Sequence, residues 1–497
     1  MHARRIVIAA LVALWTGSAP AAPAAEAQVT VRGGALRGSS ADGVQAFLGI
    51  PYAAPPVGAL RWQAPQAPAA WSGVRDATRF GSACAQGDDR FFGLTPQRRG
   101  EDCLYLNVWT PPHAAQALPV MVWLHGGAHR MGAASLAAYD GARLAARGVV
   151  VVTLNYRLGY LGYFAHPALG ADGGNFGLMD QIAALAWVRD NIAAFGGDPA
   201  QVTVFGESAG GADILYLMTH PAGRGLFRAA IVESGGGWGK PLPRDKMQDK
   251  VVAALAGVGV ARDLDAAALR ALPAQKLIDA QAADRNLGFG PFLDGRTVFE
   301  APAKVFAEGR QQKLPLIIGS NDGEGSLLRF RQPGWRDRLL IRLPMVSGWY
   351  PDVEADARAP LLFRDAVFAA PARWIAAHHA PAWLYRYAHL SAGQRGKAPG
   401  AGHAAEIAYV FDTLDSLAVF KIALDDEDRR QATQLADCWV SFAKAARPDC
   451  GLAWSPYRRS ADRALLIGDD AREGALPDGA ALDGVTKYFG PGGWFGG

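Results

Sequence analysis

The chain has 497 residues, half of them apolar and 19% charged, with a formal net charge of +4. Such a composition supplies a large core and excludes global disorder. The small net charge, with no dense Lys/Arg tract, argues against nucleic acid as a partner. Length allows two or three domains, or one wide α/β domain with insertions.

The N-terminus reads as a secretory signal over residues 1–27. Arg4-Arg5 supply the positive region, and Ile6 to Trp15 form an apolar stretch too short to span a bilayer. Ala25-Glu26-Ala27 fits an A-x-A cleavage site, with a cut after Ala24 as an alternative. The competing reading is a retained anchor. No later stretch has 18 consecutive apolar residues, so no stable membrane insertion is expected after signal removal. Residues 28–497 then form a single catalytic domain, without repeats or long linkers.

All four cysteines follow the signal, and export favours disulfides. Local closure favours Cys84 with Cys103, a loop worth about 3 kcal/mol on the chain-entropy view, and Cys438 with Cys450. The alternative for the second pair is two free thiols. No Cys/His cluster has zinc spacing, so no metal is expected.

Pro119 to Leu124 is a continuous apolar run, as for a strand buried on both faces, and Val149 to Leu154 is another. Leu178, Ile182, Leu185 and Ile192 share one helical face that stops at Gly196-Gly197-Asp198-Pro199. Val202 to Phe205 is the next strand. It runs into Gly206-Glu207-Ser208-Ala209-Gly210, and a helix-forming stretch follows. A G-x-S-x-G turn between strand and helix strains its serine and presents the oxygen above the sheet. Ala229 to Val232 and Leu316 to Ile318 are further strands. The alternation predicts an α/β class with a mostly parallel sheet wrapped by helices. The Ala-rich helical segment at about 240–310 interrupts that rhythm and is expected to form a cap.

A serine nucleophile needs a base, a group that orients the base, and N–H donors for the oxyanion. Asp322 and Glu324 both follow the Leu316 strand directly and qualify as the acid. For the base, His378 and His379 lie in a helical stretch, whereas His389 and His403 follow a strand or lie in a loop. Position alone leaves both pairs of alternatives open. Leu124-His125-Gly126-Gly127-Ala128 matches an HGGG-type oxyanion loop, whose glycines favour a structural role for His125.

Several longer motifs now matter. They are Phe47-Leu48-Gly49-Ile50-Pro51-Tyr52-Ala53 with Leu60-Arg61-Trp62, Glu101-Asp102-Cys103-Leu104-Tyr105-Leu106-Asn107-Val108, Gly174-Asn175-Phe176-Gly177 and Phe195-Gly196-Gly197-Asp198-Pro199. Together with the elbow, they make the chain resemble type-B carboxylesterases, the carboxylesterase/cholinesterase family of the α/β-hydrolase fold, from about residue 30 to 450. The resemblance implies a serine carboxylesterase without cofactor or metal, acting on a small-molecule ester through an acyl-enzyme. It selects Glu324 as acid and His403 as base for Ser208, and the N–H groups of Gly127, Ala128 and Ala209 as oxyanion donors. It also implies a Cys84–Cys103 bridge and structural ion pairs Arg61–Glu101 and Arg157–Asp180. Glu207 and Ser234 resemble positions beside the triad, with ordinary packing as the alternative.

Departures from the family bear on substrate. Gly93, with Phe91 and Phe92 nearby, stands where cholinesterases carry tryptophan, so no choline-type cation site is expected. The oxyanion loop continues with His129-Arg130 instead of an aromatic residue, and Arg285 falls near the family's apolar acyl pocket. His129, Arg130, Trp238 and Arg285 are therefore the candidate pocket residues. Two arginines there predict a preference for esters bearing a carboxylate, such as polycarboxylic-acid esters; the competing reading is surface ion pairs. The rival functional classes are a non-enzymatic binding or adhesion protein on the same scaffold, and a lipase.

Overall fold

The computed structural model describes residues 25–88, 96, 98–112, 116–283, 289–330 and 334–492. Residues 1–24 of the expected signal, the Phe91–Gly93 segment and Arg285 lie outside the described residues.

Among the described residues, thirteen strands form one sheet. Its centre is parallel, in the spatial order Val150–Leu154, Leu118–Leu124, Gly197–Glu207, Ala229–Glu233, Leu316–Asn321, Ala382–Tyr387 and Arg463–Ile467. Antiparallel strands extend both edges: Tyr105–Thr110, Val44–Pro51, Gly34–Ala41 and Ala25–Val31 on one side, Arg472–Ala475 on the other. The central strands read as unbroken apolar runs because helices cover both faces. Val120, Val122 and Leu124 face one core with Leu185, Val188 and Ile214. The alternate residues Met121 and Trp123 face a second core with Phe205, Ile231 and Trp439. Each such fully buried side chain contributes about 1.5–3 kcal/mol.

Among its described residues, the 240–310 segment contains four helices, Arg244–Gly257, Ala266–Ala271, Ala274–Ala283 and Pro302–Ala307. Val251, Leu255, Leu269 and Leu277 join Trp62, Tyr160 and Phe164 in a third apolar cluster. Trp62 stacks on Phe164 at 4.1 Å and donates its indole N–H to Tyr160 O. Arg61 forks onto Glu101 (2.5 and 2.7 Å) and also donates to Leu272 O, which ties the helices to the N-terminal region. Arg157 forks onto buried Asp180 at 2.7 and 2.8 Å. Both cysteine pairs, Cys84–Cys103 and Cys438–Cys450, are disulfide-bonded.

The strands are longer than their apolar runs. The elbow strand starts at Gly197, and the Leu316 strand continues to Asn321. Asn321 is therefore the buried last residue of a strand, although its turn-like neighbours read as loop. At the N-terminus, Ala25 to Val31 pair in register with Ser40 to Gly34, and Ala27 is buried.

Candidate active site

Ser208 joins the strand Gly197–Glu207 to the helix Ala209–Thr219 at φ 54° and ψ −119°. A non-glycine residue held there costs about 1–3 kcal/mol, so the surroundings must impose it. They do so by close approach. A Cβ on Gly206 would lie 2.7 Å from Leu124 O, and one on Gly210 would lie 2.0 Å from the same atom. The flanking glycines thus let the elbow sit against the neighbouring strand. Ser208 N–H donates to Glu233 O on the next strand.

His403 joins three chain segments. Its Nε2 lies 2.9 Å from Ser208 Oγ and its Nδ1 lies 2.5 Å from Glu324 Oε2. Read as a network, Nδ1 carries the proton toward Glu324 and Nε2 accepts from the serine hydroxyl. The other Glu324 oxygen accepts from Ser234 Oγ (2.5 Å) and from Asn321 N–H (2.9 Å), so the fully buried acid is fixed from both sides. Glu207 Oε1 lies 3.0 Å from His403 Nε2 without forming an aligned hydrogen bond. Burial raises the Glu207 carboxyl above its ordinary range, and the Glu406 and Glu324 charges add to this. Burial disfavours the charged form of His403, but the Glu207 and Glu324 carboxylates outweigh it and raise the imidazole.

The loop expected to hold the oxyanion runs at positive φ through three successive residues, 107° at Gly127, 54° at Ala128 and 56° at His129, which strains the last two. Only glycine fits at 127, where a Cβ would lie 2.1 Å from Met131 O. A Cβ on Gly126 would stand 3.0 Å from Ser208 Cβ, which measures how closely the loop passes the serine. Ala209 is the first helical residue, whose N–H has no intrahelical acceptor. Gln86 braces the loop from outside: its amide donates to Gly132 O and accepts from Gly132 N–H.

His125 is buried, stacks on Tyr156 at 4.5 Å and is lowered to about 4 by burial, so it is a neutral packing group. His389 turns to Asp428 at 2.8 Å. His378 stacks on Trp374, and His379 bonds Leu314 O. Asp322 is not beside the imidazole either: its Oδ1 accepts from Ala401 N–H and shapes the loop that carries His403.

Among the candidate pocket residues, His129 offers no polar group to a ligand. Its Nε2 meets Asp213 Oδ1 at 2.9 Å, its Nδ1 meets Phe289 O at 3.2 Å, and the ring is buried against Tyr163. Arg130 lays its guanidinium over Phe289 at 5.3 Å and donates to Gln281 O. Trp238 donates to Ala366 O, in the π-helical turn Asp365–Ala369. That turn carries Phe368, whose ring centroid is 5.1 Å from that of His403. Phe368, Asn321, Glu406 and Gln86 escape the sequence reading. Asn321 and Glu406 leave a trace only as members of the runs 319–325 and 406–411, beside the expected acid and base.

The profile of the carboxylesterase family matches residues 25–337 and 353–479. The para-nitrobenzyl esterase of Bacillus subtilis (strain 168) is 39% identical over 88% of this chain and 94% of its own. The fumonisin B1 esterase of Sphingopyxis macrogoltabida is 37% identical over 86% and 84%. The cocaine esterase of Oryctolagus cuniculus is 36% identical over 86% and 88%. A solved PNB esterase superposes with a TM-score of 0.84 at 34% identity, over 92% of this chain and 99% of that one. The sheet is thus that of an α/β-hydrolase, and the chain belongs to the carboxylesterase family, whose members hydrolyse carboxylic esters.

Proposed function

We propose that the protein hydrolyses esters through an acyl-enzyme on Ser208. His403 Nε2 takes the hydroxyl proton as Ser208 Oγ attacks the ester carbonyl carbon. Glu324 fixes the tautomer and stabilises the imidazolium. The N–H groups of Gly127, Ala128 and Ala209 receive the oxyanion, each such donor being worth about 3 kcal/mol. The imidazolium returns its proton to the leaving alcohol. Water, deprotonated by the same imidazole, then releases the acid and restores Ser208. The observation that carries this reading is the continuous Ser208–His403–Glu324 chain at 2.9 and 2.5 Å. The same chain argues against an adhesion protein that has lost its machinery. Ser208→Ala tests it: loss of p-nitrophenyl acetate hydrolysis on the order of a million-fold is expected, and activity within tenfold of the parent overturns it.

The relatives are named for different esters, so family membership leaves the substrate to local residues. A preference for carboxylate-bearing esters rests on Arg130 alone among the described residues. Comparing kcat/KM on a neutral ester and its carboxylated analogue tests it; equal efficiency, unchanged by Arg130→Ala, removes it. Export to the periplasm or beyond is proposed from the Arg4-Arg5 leader and supported by the two disulfides.

A further inference from the structure

Asn321 has no place in the mechanism above, yet it touches Glu324 and the chain on both sides of His403. Its backbone N–H donates to Glu324 Oε1 at 2.9 Å. Its side-chain Nδ2 spends both hydrogens, one on Gly402 O at 2.8 Å and the other on Glu406 Oε2 at 2.5 Å. Gly402 immediately precedes His403, and Glu406 follows it by three residues. The fork therefore straddles the imidazole-bearing residue. Asn321 and Glu406 are both fully buried, so no solvent replaces these bonds. Burial and the Glu324 charge raise the Glu406 carboxyl to about 7, while the Asn321 amide opposes that rise.

We propose that Asn321 is a positioning residue for ester hydrolysis, its two-donor amide holding the His403 loop in register with Glu324. The proposal rests on the triad reading given above. The chemistry is selective for residue type. A primary amide supplies two hydrogens from one atom; Asp has the same shape but no such donor, and Ser has a single one. Neighbouring bonds make the two segments one unit. Gly323 N–H donates to Ala401 O, Ala401 N–H to Asp322 Oδ1, and His403 N–H to Ser326 Oγ. Those three survive loss of the Asn321 side chain, so the variant is expected to fold with a displaced imidazole. A displacement of about 1 Å at a reacting group costs on the order of 100-fold in rate.

The test compares Asn321→Ala, Asn321→Asp, Asn321→Ser, Glu406→Gln and Ser208→Ala on p-nitrophenyl acetate across about pH 5 to pH 9. Active sites are counted with a p-nitrophenyl phosphonate. Asn321→Ala and Asn321→Asp are expected to lower kcat per folded molecule by about 10- to 100-fold, with KM within threefold. The acidic limb of Asn321→Ala should move to lower pH, because a loosened imidazole loses part of the Glu324 charge that raises it. Asn321→Ser, which keeps one donor, should fall between them and the parent. Glu406→Gln, which keeps an acceptor for Nδ2, should retain kcat within a few-fold. Any folded Asn321 variant with parental kcat per counted site and a parental pH profile overturns the proposal. Survival of activity in Ser208→Ala would instead overturn the triad reading beneath it.

Discussion

Glu207 Oε1 lies 3.0 Å from His403 Nε2, the same nitrogen that stands 2.9 Å from Ser208 Oγ. One ring nitrogen thus faces both the nucleophile and a buried carboxyl. The arrangement favours the imidazolium, which suits the tetrahedral intermediate. It penalises the free enzyme, whose base must be neutral.

The first prediction follows from that competition. The His403 pKa is raised above its ordinary 6.5, so kcat/KM should rise with pH through a midpoint above that value. Glu207→Gln removes the carboxylate whose charge raises it most. The acidic limb should then shift to lower pH, and the fraction of maximal activity kept at about pH 6 should increase. A pH profile of kcat/KM decides; a limb that stays put or moves upward refutes this role for Glu207.

Arg157 and Asp180 give a prediction about stability. Asp180 is fully buried; burial raises its carboxyl and the Arg157 contacts oppose the rise. Arg157→Met removes the guanidinium and leaves that carboxyl only the backbone N–H of residue 157, at a cost of about 3–5 kcal/mol. Its folded pKa then rises further above the unfolded value. The stability of the variant is therefore greatest at low pH and lost as pH rises through the folded pKa. Urea unfolding at about pH 5 and pH 8 should show the larger deficit at the higher pH. A deficit independent of pH contradicts the account.

The Cys84–Cys103 bridge should matter twice. Replacing both residues by serine should cost about 3 kcal/mol of stability from the released loop. It should also lower kcat, because Gln86 is anchored on Cys84 O at 2.9 Å while it braces Gly132. Gln86→Ala separates the two effects: a reduced kcat with nearly unchanged melting is expected. An unaltered kcat in both variants would show that the oxyanion loop needs no such support.

At the N-terminus, a cut after Ala27 would remove three of the seven paired residues of the edge strand, whereas a cut after Ala24 removes none. On the export proposed above, the processed chain is therefore expected to begin at Ala25. The intact mass of the secreted protein reports this directly, and a first residue of Gln28 would show that the strand forms without its first three pairs.

The elbow was legible because its physics is local: an apolar run, small flanking residues and a helix, all within about twenty residues. The acid and the base were not local in that sense. Asp322 and Glu324 differ by two positions in one turn, and only the fold tells that one clamps Ala401 while the other faces His403. The resemblance to the carboxylesterases selected Glu324 over Asp322, as it selected His403 over His389. His129 read as a pocket residue because its partner Asp213 lies 84 residues away. Phe368 was hidden by the π-helical turn, where the ordinary 3.6-residue period of buried positions slips. Asn321 looked like turn chemistry because its neighbours are Ser, Asp and Gly, yet its side chain is committed to the interior.

The bridge between Gly323 and Gly402, with the bonds beside it, closes the chain on itself at that point. The run between those two glycines holds the helices Pro344–Trp349, Arg358–Arg364 and Ala370–Ala377 and the central strand Ala382–Tyr387, and its two ends lie beside Glu324 and His403. Change in the helices around Phe368 can reshape the wall beside His403 while the bonds at the two ends keep Glu324 and His403 in register. A scaffold built this way lets substrate choice diverge without renegotiating the chemistry.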